Sequence, residues 1–158
     1  MFTKRMHEKL RRVQGACVAS AALLTCASAA VMIIVTREPP AVQNDDARVI
    51  LPLTLLVFLA CTIGAVCLSI VHRSQSLSRV AGMRRDRATD LLLPMYANLN
   101  YFRCVLLVIP SFAGIFAFMF TGRPVLMLIP AVCIALLVFW VPARWRFEKW
   151  VEDAIAFV

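Results

Sequence analysis

The chain has 158 residues, of which 61% are hydrophobic and 16% charged, with a mean hydropathy of +0.80 and a formal net charge of +8. That composition leaves no room for a separate soluble domain, so residues 1–158 read as a single membrane domain. The excess of cations does not point to nucleic acid, because no binding fold is there to organise the arginines.

Four segments, residues 13–36, 49–71, 104–122 and 124–143, contain no Asp, Glu, Lys, Arg or His. A helix needs about 20 apolar residues to cross about 30 Å of hydrocarbon, and each segment meets that length. A soluble core helix would carry charge on its outer face every turn or so, and a barrel would need many shorter alternating strands. The expected fold is all-α and integral to a membrane, with four transmembrane helices.

The first span follows a tail carrying Lys4, Arg5, Lys9, Arg11 and Arg12. Ala27-Ser28-Ala29 imitates a signal-peptide cleavage site, but the apolar stretch runs on through Val35, too long for a signal core, and a retained span is expected. Small residues recur at helical spacing as Ala22, Cys26 and Ala30, and in the second span as Ala60 with Gly64 and as Cys61 with Ala65 and Ser69. Such ladders let membrane helices approach closely, so spans one and two are expected to pack through them.

The linker at residues 72–103 repeats apolar residues at three- and four-residue steps, among them Leu77, Val80, Leu92, Met95, Leu99 and Phe102. A helical linker broken near Gly82 is expected, the second arm bent near Pro94. It either extends spans two and three as a pair of arms or lies flat on the membrane. In the third span Gly114 offers a small packing face, and Pro110, like Pro130 in the fourth, is placed to kink its helix. Only Thr121-Gly122-Arg123 separates the third span from Pro124, a proline suited to a first helical turn, so a tight hairpin is expected.

The C-terminal stretch, residues 144–158, places Phe147, Trp150, Val151, Ala154 and Ile155 on one face and Glu148, Lys149, Glu152 and Asp153 on another. This is a short amphipathic helix, set either in the membrane interface or against the linker.

Orientation follows from the basic residues. The N-terminal tail, the linker (Arg73, Arg79, Arg84, Arg85, Arg87 and Arg103) and the C-terminal stretch (Arg144, Arg146 and Lys149) lie on one side of an even-span topology. The other side holds only Arg37, Arg48 and Arg123, so both termini are expected in the cytoplasm. Arg84, Arg85, Arg87, Trp145, Arg146 and Trp150 are the expected contacts with anionic headgroups or with partner subunits at that face.

Residues 96–105, the Gly122-Arg123-Pro124 turn and the run Val141-Pro142-Ala143-Arg144-Trp145-Arg146-Phe147-Glu148-Lys149-Trp150 resemble a family of small bacterial four-span proteins. Their last span typically ends in Phe-Pro-Thr-x-x-Arg, followed by Glu, Trp and further acids. Here Val-Pro-Ala stands in place of Phe-Pro-Thr, and the resemblance covers the second half of the chain. It implies a bacterial inner membrane and no particular activity.

No Asp, Glu, Lys, Arg or His lies within the four segments, which removes the membrane carboxylate that coupled carriers and rotary rings rely on. Six cysteines occur without a Cys-x-x-Cys motif, so no metal, cofactor or catalytic residue is expected. The leading expectation is a non-catalytic structural, accessory or assembly subunit of a larger membrane complex. A self-associating channel or facilitator is the first alternative. A lipid-modifying membrane enzyme is the second, with Asp86, Asp90, Glu148, Glu152 and Asp153 as its acid candidates.

Overall fold

A computed structural model describes residues 4–37, 47–80 and 83–156. Five α-helices account for most of them: α1 (Lys4–Arg37), α2 (Ala47–Val80), α3 (Arg85–Thr121), α4 (Leu128–Phe139) and α5 (Arg144–Ala156). There is no strand among the described residues. α1, α2 and α3 are each long and apolar enough to cross a membrane, and a fourth candidate exists if the bent pair α4 and α5 is taken together. At about 1.5 Å per residue, the 34 residues of α1 and α2 and the 37 of α3 each reach beyond 50 Å, roughly, and so overrun a hydrocarbon core of about 30 Å.

α3 is the hub, packing against α2, α1, α4 and α5. Two apolar clusters lie along it. One joins Val13, Cys17 and Leu24 of α1 to Cys104, Leu107, Ile115 and Phe118 of α3 and to Ile129, Cys133 and Leu137 of α4. The other gathers Leu10, Val80, Ala88, Leu92, Leu93 and Tyr96 around Phe147, Val151 and Ala154 of α5. Outward faces stay apolar: Leu53, Leu56, Ile63 and Ile70 of α2 are each 60 to 63% exposed. An unbroken apolar surface of that extent is what a helix shows toward lipid rather than water.

Three sequence expectations change. The ladders of spans one and two do not pack on one another: Ala22, Cys26, Ala30 and Ala60 are exposed, nothing approaches within 4 Å of the position a Cβ on Gly64 would take, and Ala65, which is fully buried, belongs to a helix that packs mainly on α3. α1 lies instead on α3 and α4, where larger residues interdigitate. Pro130 falls in the first turn of α4, where a missing donor costs little, rather than inside a helix it could kink, while Pro94 and Pro110 lie within the unbroken span of α3. The segment 124–143 is not one helix but a 3-10 turn (Pro124–Met127), then the 12 residues of α4, then a break at Pro142. Its helical part spans roughly 26 Å, shorter than the other three.

Other expectations agree with the architecture. α2 and α3 run on as two arms through residues 72–103, resuming at Arg85, while Gly82 lies outside the described residues. The hairpin after α3 closes on Gly122 at φ 65°, a left-handed conformation that glycine adopts without a Cβ penalty, with its N–H bonded to the Phe118 carbonyl at 2.7 Å. α5 docks on α2 and α3 at a bend of 69° to α4.

Candidate functional site

The polar side chains that converge do so where α5 meets α2 and α3. α5 is held there by its apolar stripe: Phe147 is fully buried, and its ring stands 5.1 Å from that of Tyr96 and 6.3 Å from that of Trp150. Trp150 closes the third side against Tyr96 at 5.4 Å. The three rings meet at tilted angles, which suit the charge distribution of aromatic faces and edges. The break before α5 is pinned twice. Gln14 of α1 donates from its side-chain amide to the Pro142 carbonyl, and Arg146 donates to the Phe139 carbonyl. The second bond brings a cation to the C-terminus of α4, where unsatisfied carbonyls gather negative potential.

Arg103 of α3 crosses to α2. Its Nε and Nη2 donate to Ser69 Oγ at 3.0 and 2.6 Å, while the Ser69 hydroxyl donates to the Ala65 carbonyl. The Arg103 guanidinium also lies 5.2 Å from the centre of the Trp140 ring, and that of Arg146 lies 5.2 Å from Phe139 and 5.1 Å from Trp145. No carboxylate pairs with Arg103 or Arg146 among the described residues, whereas Arg73 reaches Asp153 at 3.5 Å on an exposed edge. Arg73, Arg103 and Arg146, with Tyr96, Trp140 and Trp150, border a cleft of 390 Å³. Tyr96 belongs to the arm of α3 that precedes the uncharged stretch. Burial pushes its phenol above the usual range, and the nearby cations of Arg103 and Arg146 pull the other way.

Of the six cationic and aromatic contacts expected from sequence, Arg146 and Trp150 come together in this cleft. Arg84 and Arg87 are exposed and border an open depression with Met83, Asp90 and Leu91, and Trp145 is 61% exposed. Arg85 opens α3, its side chain lying outside the described residues. Sequence reasoning missed Arg103, Ser69, Arg73 and Trp140 as site residues. The spacing of Tyr96, Leu99 and Arg103, and of Ser69 and Arg73, placed each set on one helical face, which is the signal that was available.

Gly114 is a true packing position: a Cβ there would sit 3.0 Å from Pro130 Cδ and 3.1 Å from the Leu126 carbonyl oxygen. Deeper still, Cys17 and Cys104 meet in the core. Among the described residues no group of three or more His, Cys, Asp or Glu side chains is placed to hold a metal ion.

The architecture therefore defines an α-helical chain with at least three helices fit to cross a membrane and a cationic, aromatic-lined cleft at one end. Comparison with protein-family models, with curated proteins and with solved structures returns no match.

Proposed function

We propose that the chain is a non-catalytic integral membrane protein of four spans, with both termini in the cytoplasm of a bacterial inner membrane, serving as an accessory or assembly subunit of a larger membrane complex. The observation that carries this reading is the unequal burial of its helices. Only 11% of the most apolar window of α1 and of α2 is buried within the chain, against 44% for α3. Two of three long helices thus bury few of their residues within the chain, and what α1 turns outward, to lipid or to another helix, includes the exposed small residues Ala22, Cys26 and Ala30. Small residues facing outward let another membrane helix approach closely.

The fourth span is supported by the second apolar cluster. Leu10 precedes the first uncharged segment, Val80 and Leu92 lie between the second and third, and Phe147 follows the fourth, yet all four pack together. If α1, α2 and α3 cross in alternation, residues 124–143 must bring the chain back to that same end. Of the acid candidates for an enzyme, Glu148 is engaged by Arg144 at 2.8 Å and Asp153 by Arg73 at 3.5 Å, so these two side chains are each turned to an arginine of their own.

Purification of the full chain in mild detergent, with mass measurement of what accompanies it, tests the proposal. A stoichiometric membrane partner is the expected result, a homo-oligomer favours the channel alternative, and a bare monomer overturns both.

A further inference from the structure

We propose that the cleft between α2, α3 and α5 binds a phosphate group, that of an anionic phospholipid headgroup, through the guanidinium groups of Arg103 and Arg146. This rests on the membrane reading above, and four observations point to it. First, the cleft is cationic without being balanced. It gathers Arg73, Arg103 and Arg146, and Asp153 pairs with Arg73 alone of these, on the exposed edge. Arg103 and Arg146 are half-buried and have no carboxylate partner among the described residues. Withdrawing a guanidinium from water without an anion is costly, so an anion entering the cleft relieves a cost the fold already carries.

Second, on the four-span reading the cations border the uncharged segments and so fall at headgroup depth. Arg103 immediately precedes the uncharged stretch 104–122, Arg73 follows residues 49–71 by two positions, and Arg146 follows residues 124–143 by three. Basic pockets between membrane helices on the cytoplasmic side suit phospholipid headgroups, and Trp and Tyr are favoured at that level.

Third, the donors are pre-oriented. Ser69 fixes Arg103 through Nε and Nη2, which leaves Nη1 without a hydrogen-bond partner among the described residues, and stacking on Trp140 limits its rotation. A planar guanidinium held in this way matches phosphate better than a freely moving lysine would. Fourth, one wall is apolar: Val66 and Ile70 of α2 line the cleft and are also exposed along that helix, so the cleft opens toward the surface where an acyl chain would run. A free phosphate ion has no use for that wall. The depression bordered by Arg84 and Arg87 lacks both the aromatic walls and the fixed donors, and holds Asp90 among its cations.

The test uses the full chain in neutral detergent, with lipid adducts counted by native mass spectrometry as phosphatidylglycerol or phosphatidylcholine is titrated in. The expected result is saturable, one-site binding of phosphatidylglycerol, preferred over phosphatidylcholine. Arg103→Gln and Arg146→Gln should each weaken it about tenfold, the range of a charged hydrogen bond. Arg12→Gln, which removes the same charge from an exposed i,i+4 pair with Glu8, should leave it within about twofold. Circular dichroism checks that each variant is folded, and Arg103→Lys, which keeps the charge but not the fork, should recover only part of the affinity.

In a second arm, inorganic phosphate is added at millimolar concentration: failure to displace the lipid supports a headgroup held together with its chain, and full displacement overturns the lipid assignment. Equal binding of both lipids, or equal losses in Arg12→Gln and Arg103→Gln, overturns the site. Flotation of the wild type with pure phosphatidylcholine vesicles tests the membrane reading separately. A chain that floats but shows no lipid preference sinks only this inference.

Discussion

The thiols of Cys17 in α1 and Cys104 in α3 meet in the buried core with their sulfurs 2.8 Å apart, tying together two helices that are distant in sequence. The contact separates the observed arrangement, with α1 on α3, from one in which α1 packs on α2. In a variant with Cys26, Cys61, Cys67 and Cys133 replaced by alanine, mild oxidation with copper phenanthroline should join Cys17 to Cys104. Loss of both thiols to maleimide after denaturation, with a mass lower by two hydrogens, is the readout. A variant keeping only Cys26 and Cys61 should stay reduced, and the opposite outcome for the two pairs would restore the α1–α2 packing.

Gly114 and Gly64 look alike in the sequence and should behave oppositely. Replacing a helical glycine gains up to about 1 kcal/mol in intrinsic propensity. At Gly64 a side chain meets nothing within 4 Å, so Gly64→Ala should be neutral or slightly stabilising. At Gly114 it meets Pro130 Cδ at 3.0 Å, the Leu126 carbonyl at 3.1 Å and Ile129 Cβ at 3.2 Å. Backbone and ring atoms yield little, and overpacking costs about 1–3 kcal/mol. Gly114→Val should therefore lower the thermal transition in detergent.

These two glycines also mark what was legible in the sequence. The uncharged segments, the Gly122 hairpin and the amphipathic α5 follow from charge, backbone conformation and periodicity, all local properties. Which small-residue ladder meets a partner is not local. Gly114 faces α4 because the tight turn at Gly122 and Arg123 folds α4 back onto α3, whereas nine residues of sequence separate α1 from α2. In the sequence Arg103 is one of many charges that set topology. Its role in the cleft depends on Ser69 and on Trp140, 34 and 37 residues away, and no spacing rule links the three.

Phe147 is the anchor of α5, fully buried against Tyr96. Truncating a buried phenylalanine costs about 3–5 kcal/mol, and the loss here falls on the cluster that holds α5 rather than on the one that joins α1, α3 and α4. Phe147→Ala should raise hydrogen exchange across residues 144–156 while leaving amides around Leu107 and Ile115 protected. Uniform loss of protection would mean that the two clusters unfold as one.

The number of crossings can be read from both sides of the membrane. Lys9 and Lys149 are exposed near the two ends of the chain, and the packing of Leu10 with Phe147 puts both at one end of the bundle. In a cysteine-free background, Lys9→Cys and Lys149→Cys should be shielded from an impermeant maleimide on intact cells and labelled in inverted vesicles, while Arg123→Cys should show the reverse. The short helical part of residues 124–143 is the weak point, since roughly 26 Å falls several ångströms short of the hydrocarbon core. Local thinning, or snorkelling by Arg123 and Arg144 at its two ends, closes a gap of that size at a cost of fractions of a kcal/mol per Å. External labelling of Lys149→Cys with Lys9→Cys protected would mean three crossings. It would also require α5 to leave the cluster it shares with Leu10, so the same experiment tests the docking of α5 and the cleft that this docking builds.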